Sequence, residues 1–450
     1  MTTADVTITD LAPRVARGEI RAERLTEDAL ATIASLNPRL NAFITVTGDE
    51  ALTAARRADQ EIAAGRHLGP LHGIPISIKD LIDVAGIPTT AGSKLRDGCL
   101  ASGDAPVVAH LRAAGAVLVG KTNLHEFAFG TTNEDSAWGP ARHPIDETRS
   151  PGGSSGGSAI AVTTGMSIAS LGTDTGGSIR IPAAACGIVG LKPGWGEVAS
   201  EAVVPLSRQL DHVGPLARSV DDAALLYDVL RGVAPRAEAP IQSGPVGLKL
   251  AVLDGYFLDR LSVEVDHGFH AALETLRRAG AAVSPASIPH APLIAPVYLH
   301  LVLADAAAYH AATLERRPHA YTPNVRLRLE MGRNILAEDY VRALRGRSVL
   351  RHEVDRALEE VDGLVLPSLS IEAPPIGAGT VPVRGGQEPV RAAMLRCTQL
   401  FNLTGHPAIS VPCGTSRAGL PIGLQIVGHQ NRTADLLRVA RTIEQSLHSH

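Results

Sequence analysis

SPGGSSGGSAIAVTTGMSIASLGTDTGGSIRIP, residues 150–182, is the stretch on which the rest of the chain is organised. Two Gly/Ser-rich turns, 152–158 and 176–178, flank an apolar segment long enough for one short helix and one strand. Glycine lets the backbone adopt positive φ and approach another group closely. A serine hydroxyl becomes a nucleophile only when a base lies beside it. The pattern therefore predicts that Ser154 and Ser178 meet, and that a base comes from elsewhere in the chain.

Length and composition narrow the class of protein. The chain has 450 residues, a net charge of −4 and 3% aromatic residues, so a basic surface for nucleic acid or an anionic membrane is not expected. It has no uninterrupted run of eighteen apolar residues, and its N-terminus lacks a basic region followed by an apolar one. We therefore expect neither a membrane span nor a signal peptide. Four scattered cysteines without a CxxC pair predict a cytoplasmic protein with buried thiols.

Segments with the patterns of strands and helices alternate along most of the chain. IPISIK (74–79) alternates as a strand does, and the strand pattern of 247–255 is followed by a helical pattern over 265–280. This alternation predicts an α/β fold with a parallel or mixed central sheet. Residues 291–350 are mostly helical and predict an inserted layer that acts as a lid. We expect one domain over residues 1–450.

Lys79 stands inside the predicted strand PISIKD, where a lysine is unusual. A lysine near a strand end often extends its charged head to solvent, and on this feature alone that interpretation is favoured. If the lysine is buried, desolvation lowers its pKa and makes neutral amine available as a base. Ser-Lys pairs are a known variant of serine catalysis, so Lys79 is a candidate for the missing base.

The second turn, GTDTGGS, also predicts an anion site. Successive backbone N–H groups in such a turn line a concavity that attracts negative charge. For acyl transfer, that concavity is an oxyanion hole. The candidate donors are Thr175, Gly176, Gly177 and Ser178.

GAVLVGKT, Gly115–Thr122, matches the phosphate-binding pattern GxxxxGK[ST]. A P-loop follows a strand and has a flexible loop between its glycines. Here a helix is predicted before Gly115, and 116–119 has the composition of a buried strand. The structural interpretation is favoured, and a nucleotide-dependent enzyme stays as a formal alternative.

The seventeen histidines show no HExxH or zinc-finger spacing, and no GxSxG motif appears. We therefore expect no metal. Four histidines lie near Gly- or Pro-containing turns, which predicts turn or surface roles for His72, His125, His212 and His406.

The segments GIPISIKD, GPARHPIDETRSPGGSSGGSAIAV and LGTDTGGSIRIPAAACGIVGLKP closely resemble the amidase signature family. The match is gapless over 138–193 and extends to 120–130, 210–224 and 401–428 in the family's order. The resemblance implies a central twisted mixed β-sheet covered by helices on both sides. It also implies hydrolysis of carboxylic amide C–N bonds through a seryl acyl-enzyme, without a metal or an organic cofactor.

The resemblance also assigns roles to individual residues. Ser178 corresponds to the nucleophile, Ser154 to a relay serine that follows a cis peptide bond, and Lys79 to the base. Ser155, Asp174 and Arg180 correspond to positions that support the turns. Pocket walls are implied at Phe127, Ala128 and Gly130, and Trp195 is a further candidate, with core packing an equal alternative for Phe127 and Trp195.

The family contains two kinds of protein that the sequence helps to separate. The glutaminase subunit of tRNA-dependent amidotransferases usually continues GLKP with Thr-Tyr-Gly-Arg and carries a tyrosine-rich segment. Here residues 194–197 are GWGE, and YLHLVLADAAAYHAATLE (298–315) occupies the other region. A stand-alone amidase, monomeric or homodimeric, acting on a small-molecule amide, aryl amide or carbamate (urethane) is therefore favoured. The amidotransferase subunit is the alternative.

Overall fold

The computed structural model describes residues 6–235, 244 and 246–448. The first five residues, part of the N-terminal segment in which no signal peptide is expected, lie outside the described residues.

A mixed eleven-stranded sheet is the centre of the described part of the chain, and a two-stranded hairpin accompanies it. The strands are β1 (Phe43–Val46), β2 (Pro75–Lys79), β3 (Val117–Thr122), β4 (Ala169–Asp174), β5 (Val189–Lys192), β6 (His212–Ala217), β7 (Lys249–Leu253), β8 (Ala282–Ala286), β9 (Gly363–Pro367), β10 (Thr380–Val383), β11 (Gly386–Pro389), β12 (Ala408–Thr415) and β13 (Pro421–Val427). The large sheet has the order β1-β3-β2-β4-β6-β5-β12-β13-β9-β7-β8, and β10 pairs with β11.

Strand directions make the sheet mixed. β2 runs parallel to both β3 and β4, whereas β6 is antiparallel to β4 and to β5. Parallel pairing returns at the far edge, where β7 lies between β8 and β9. The predicted α/β fold with a mixed central sheet is therefore confirmed.

Helices flank the sheet. They are α1 (Ile8–Ala16), α2 (Ala22–Leu40), α3 (Gly48–Ala63), α4 (Pro106–Ala113), α5 (Gly156–Thr163), α6 (Arg180–Cys186), α7 (Val220–Leu230), α8 (Val263–Arg278), α9 (Ile294–Arg316), α10 (Pro323–Gly332), α11 (Ala337–Leu358), α12 (Val390–Leu395), α13 (Gln399–Thr404) and α14 (Thr433–His448). Every residue of β2, β3, β4 and β6 is buried, because the central strands are covered on both faces.

The phosphate-binding alternative at Gly115–Thr122 is wrong. Helix α4 ends just before Gly115, and residues 117–122 form the buried strand β3, paired with β2. Their backbone groups therefore belong to the sheet and are not free to cradle a phosphate.

Helices α9, α10 and α11 form the predicted helical layer between β8 and β9, and they pack on one another. One helix of this layer bears on the expectation that the chain has no membrane span. The 26-residue segment Ala291–Arg316 is long and apolar enough to cross a membrane by length and composition alone. Half of its most apolar window is buried inside the protein, so length and composition alone are weak evidence for a membrane span. The lid function and the one-domain organisation stay predictions.

Candidate active site

Lys79 is the last residue of β2, and its side chain is fully buried. Its Nζ donates hydrogen bonds to Ser154 Oγ (2.7 Å) and to Thr173 Oγ1 (2.8 Å). Burial lowers the pKa of Lys79 to about 7, although the negative charges of Asp174 and Asp211 act in the opposite direction. The interpretation in which Lys79 extends its charged head to solvent is therefore excluded. The amine lies at the first serine turn, and a substantial fraction of it is neutral near pH 7.

The first turn presents Ser154 at a peptide bond with unusual geometry. The Gly153–Ser154 bond is cis, and the Ser154 side chain is fully buried. A Cβ on Gly153 would lie 2.7 Å from the backbone nitrogen of Asn133, so a side chain at this position has no room. Next to it, Ser155 Oγ donates to Thr173 O (3.2 Å), which ties the turn to β4.

The second turn follows β4 and carries Ser178, whose exposed fraction is 6%. The two turns touch, because the Ser155 N–H donates to the Ser178 carbonyl oxygen at 3.2 Å. The hydrogen bonds of the described residues do not include one between Ser154 Oγ and Ser178 Oγ. The structure thus brings the two serine turns together and joins the base to the first of them.

Asp174, at the end of β4, organises the second turn. Its carboxylate accepts the N–H groups of Gly177 (2.8 Å) and Ile179 (3.1 Å) and pairs with the Arg180 guanidinium at 2.9 Å. The Gly177 N–H is therefore occupied, which corrects its assignment to the oxyanion hole. The candidate donors that remain are Thr175, Gly176 and Ser178.

Arg180 is held from four directions although it is fully buried. Besides Asp174, its guanidinium donates to Thr398 O (3.0 Å), Gln425 Oε1 (2.6 Å) and Asn402 Oδ1 (2.7 Å). Burial alone would raise the pKa of Asp174, but the adjacent Arg180 charge and its hydrogen bonds outweigh burial and hold that pKa well below its ordinary value. Asp174 and Arg180 therefore form a charged, hydrogen-bonded brace under the turn.

Thr173 and Asp211 also lie at the site, although no sequence pattern predicts them there. Asp211 accepts a hydrogen bond from Thr175 Oγ1 (2.7 Å) and from the Leu206 N–H (3.0 Å). Burial raises the pKa of Asp211 to about 6, so the carboxylate is ionised above that pH. The only sequence feature that could have indicated Asp211 is its position as an acidic residue inside LDHVGP, a stretch that resembles the family.

The expected pocket walls lie in different environments. Phe127 is buried and packs against the His310 ring, with centroids 4.4 Å apart, which is the contact of a core residue. Ala128 is also buried, and Gly130 lies directly against the His125 ring. Trp195 is 48% exposed. Their roles towards a substrate stay predictions.

Two expectations about exposure are wrong, although His72 does lie in a turn, which was one of the two roles predicted for it. The four histidines are buried, with exposed fractions of 2%, 2%, 4% and 0% for His72, His125, His212 and His406. His212 begins β6, so a central strand lies where a turn was expected. Conversely, Cys99 is exposed, whereas Cys186 and Cys397 are buried as expected. In the described residues, no group of three or more His, Cys, Asp or Glu side chains is arranged to hold a metal ion.

Comparison with known proteins identifies the family of this chain. Residues 24–437 match the model of the family described as Amidase. The A subunit of the glutamyl-tRNA(Gln) amidotransferase of Chloroflexus aurantiacus is 39% identical, over 99% of this chain and 97% of that protein. A crystal structure of an amidase superposes with a TM-score of 0.92 and 38% identity, covering 98% and 99% of the two chains.

The solved A subunit of the glutamyl-tRNA(Gln) amidotransferase of Thermotoga maritima superposes less closely, with a TM-score of 0.81 and 33% identity, over 98% and 95% of the two chains. The matched model spans nearly the whole chain, and the similar proteins cover their own lengths almost completely. The chain therefore belongs to the amidase signature family of amide-cleaving enzymes.

Proposed function

We propose that this chain cleaves an amide C–N bond with Ser178 as nucleophile, Ser154 as proton relay and Lys79 as base. The observation that carries the proposal is the 2.7 Å contact between the buried Lys79 Nζ and Ser154 Oγ. A base is most effective when its pKa lies near the working pH, and burial brings the pKa of Lys79 to about 7.

Thr173 orients the base. In neutral Lys79, one N–H donates to Thr173 Oγ1, which leaves the lone pair for the proton of Ser154. Ser154 in turn takes the proton of Ser178 as that hydroxyl attacks the carbonyl carbon. The negative charge that develops on the carbonyl oxygen is stabilised by N–H groups of Thr175, Gly176 and Ser178.

The second half of the reaction uses the same groups. The proton returns through Ser154 to the leaving nitrogen, and the amine departs from the acyl-enzyme. Water then attacks the ester at Ser178, again with Lys79 accepting a proton through Ser154, and that proton returns through Ser154 to Ser178 Oγ as the acid product leaves. Carbamates and aryl amides present the same carbonyl to the same nucleophile, so they are included in the proposal.

The second candidate function is glutamine hydrolysis within a tRNA-dependent amidotransferase. The curated relative from C. aurantiacus carries the name of such an enzyme's component at 39% identity, which supports this candidate more directly than it supports a stand-alone amidase. The higher TM-score to the amidase, 0.92 against 0.81 for the T. maritima protein, supports the stand-alone reaction.

Acyl-enzyme trapping tests the chemistry common to both candidates. We expect amide hydrolysis in the presence of hydroxylamine to yield hydroxamate, since hydroxylamine competes with water for the ester at Ser178. Ser178→Ala should lower kcat at least about a thousandfold. Ser102→Ala, at an exposed serine, is the control and should leave the rate unchanged. Hydroxamate formation at the normal rate by Ser178→Ala would exclude Ser178 as the nucleophile.

A substrate panel separates the two candidates. Aliphatic amides, anilides, carbamates and glutamine should be compared with the purified chain alone, with and without ATP. Turnover of simple amides by the isolated chain favours the stand-alone enzyme. Activity confined to glutamine, and only with partner proteins present, favours the amidotransferase function.

A further inference from the structure

Arg391, in the first turn of α12, is a half-buried cation without a counter-ion. No hydrogen bond or ion pair made by the described residues engages its guanidinium. Arg180 and Arg396, by contrast, are paired with the carboxylates of Asp174 and Glu388. Removing a cation from water without a partner is unfavourable, so Arg391 is a strong candidate to meet an anion that is not part of the chain.

The guanidinium of Arg391 lies in a region of excess positive charge. Its central carbon is 5.8 Å from the centre of the Phe129 ring, and that of Arg328 is 5.8 Å from the same centre. Arg328 donates to the Phe129 carbonyl oxygen at 2.5 Å. Burial and the neighbouring Arg391 charge lower the pKa of Arg328 to about 10.

The carboxylate that acts on Arg328, Asp135, has other partners. Asp135 contacts His125 Nε2 at 3.2 Å and accepts a hydrogen bond from Asn324 Nδ2 at 3.0 Å. It therefore supplies only part of the negative charge that two guanidinium groups require.

The same region borders the nucleophile turn. Leu395 lies one helical turn beyond Arg391 on α12, about 6 Å along the axis. A Cβ on Gly176 would be 3.2 Å from Leu395 Cδ2 and would overlap the hydroxyl of Tyr298. That hydroxyl makes no hydrogen bond to the described residues, and burial raises the pKa of Tyr298, so it stays a donor. The Tyr298 hydroxyl thus lies beside the turn that holds Ser178, and it is close enough to Arg391 for the two groups to interact electrostatically.

We propose that Arg391, assisted by the Tyr298 hydroxyl, binds a carboxylate on the acyl part of the amide substrate; this rests on the proposed amide hydrolysis. A guanidinium matches a carboxylate with two parallel hydrogen bonds. The carboxylate belongs to the acyl part because the leaving nitrogen has to face Ser154, which returns the proton. Two guanidinium groups also disfavour an ammonium group next to the carboxylate, so the substrate is the monoamide of a dicarboxylic acid rather than glutamine.

Three amides of one chain length test this inference. 5-Amino-5-oxopentanoate ends in a carboxylate, pentanamide ends in a methyl group, and glutamine adds an ammonium group to the first. We expect kcat/KM for the carboxylate amide to exceed that for pentanamide by roughly 10- to 100-fold, the range of one charged hydrogen-bonded contact. Glutamine should fall below the carboxylate amide.

Variants assign the preference to Arg391. Arg391→Met should reduce the ratio of kcat/KM for the carboxylate amide over pentanamide to near one, and Arg391→Lys should keep part of it. Arg345→Met, at an exposed arginine of α11, removes the same charge and should keep the wild-type ratio. Thermal midpoints show whether each variant is folded.

The possible failures are distinguishable. If wild type hydrolyses pentanamide as well as the carboxylate amide, or if Arg391→Met keeps the preference, the inference is wrong and amide hydrolysis stands. If no amide is hydrolysed, the proposed function fails, and calorimetric binding of 5-amino-5-oxopentanoate decides the subsite. Binding that Arg391→Met weakens at least tenfold supports the subsite, and equal binding overturns it.

Discussion

Lys79 acts through its surroundings rather than through its residue type. The side chain has no solvent contact, its nearest partners are two hydroxyl groups, and its pKa is lowered to about 7 by burial. The two carboxylates that influence it, Asp174 and Asp211, limit how far that pKa falls. In the proposed mechanism, the working pH range therefore depends on Asp174 and Asp211 as well as on Lys79.

The first prediction concerns this pH range. Because only neutral Lys79 accepts a proton, kcat/KM should rise with pH through an apparent pKa near 7 and then level off. Asp211→Asn removes a negative charge that favours the charged lysine, so the rise should move to lower pH. The pH–rate profiles of the two proteins measure the shift.

An exposed carboxylate provides the control for this experiment. Asp97→Asn removes the same charge at the surface and should leave the midpoint where it is in wild type. A profile for Asp211→Asn that moves to higher pH, or that coincides with wild type, contradicts the assignment of Lys79 as the base.

The sequence predicts those residues of the site that a local pattern marks, and it misses those whose importance comes from distant contacts. Lys79 is visible because a lysine interrupts an apolar strand, and the two serine turns are visible because of their glycines. Thr173 and Asp211 look ordinary, since their importance comes from contacts with residues distant in the chain. No sequence pattern marks Arg391 either, because its lack of an ion partner is a property of the folded molecule.

At the scale of elements, the segment between β4 and α6 is a rigid turn. Asp174 closes β4, accepts N–H groups from the turn and pairs with Arg180 in the first turn of α6. The turn that carries Ser178 is therefore shaped by a carboxylate from one element and a guanidinium from the next. Both charges are fully buried, so each depends on the other.

The second prediction tests this brace. Asp174→Asn leaves Arg180 charged and buried without its ion partner, and we expect it to lower the free energy of unfolding by about 3–5 kcal/mol. Urea denaturation measures the change. Asp28→Asn removes a partly exposed carboxylate that lies 2.7 Å from Arg24, and should cost about 0–1 kcal/mol. Equal effects from the two substitutions would mean that the brace does not support the fold.

Elements also show where sequence patterns fail. Strand β6 contains Gly214 and Pro215, which normally argue against a central strand. A glycine is required at position 214, because a Cβ there would overlap the Leu191 carbonyl oxygen of neighbouring β5. This requirement arises from the packing of two strands and cannot be read from HVGPLA alone, whereas β2 and β3 follow directly from their apolar patterns.

At the scale of the whole molecule, buried carboxylates join the two ends of the described chain. Asp222, in the first turn of α7, accepts the N–H groups of Ile8 (2.8 Å) and Thr9 (3.1 Å) at the start of α1. Glu444 of α14 accepts the Val220 N–H at the start of α7 with both oxygens (3.0 and 3.1 Å). The first and last helices are therefore both attached to the beginning of α7.

These contacts carry a cost that depends on pH. Burial raises the pKa of Asp222 to about 6 and that of Glu444 to about 7, with the neighbouring Asp221 charge acting in the same direction. A carboxyl group whose pKa is higher in the folded than in the unfolded state binds more protons when folded. Its stabilising contribution is complete below the unfolded pKa and is lost as the pH rises through the folded pKa.

The third prediction follows for Glu444→Gln. Below pH 4.5 the wild-type glutamate is neutral in both states, so the two proteins should differ little in the free energy of unfolding. Between pH 4.5 and 7, Glu444 is ionised in the unfolded state but still protonated in the folded state, so the wild type loses stability as the pH rises. The glutamine variant has no such loss. The variant should therefore gain on the order of 2–3 kcal/mol over wild type by pH 8, measured by urea denaturation across this range.

A surface glutamate provides the matched control. Glu360→Gln removes an exposed carboxylate and should change the free energy of unfolding by no more than about 0.5 kcal/mol. If the advantage of Glu444→Gln shrinks as the pH rises, Glu444 is stabilised by ionisation. In that case the Glu444 carboxylate at the junction of α7 and α14 lies in a more polar environment than its burial indicates. The contact between α14 and α7 is then made by an ionised carboxylate rather than by a neutral acid.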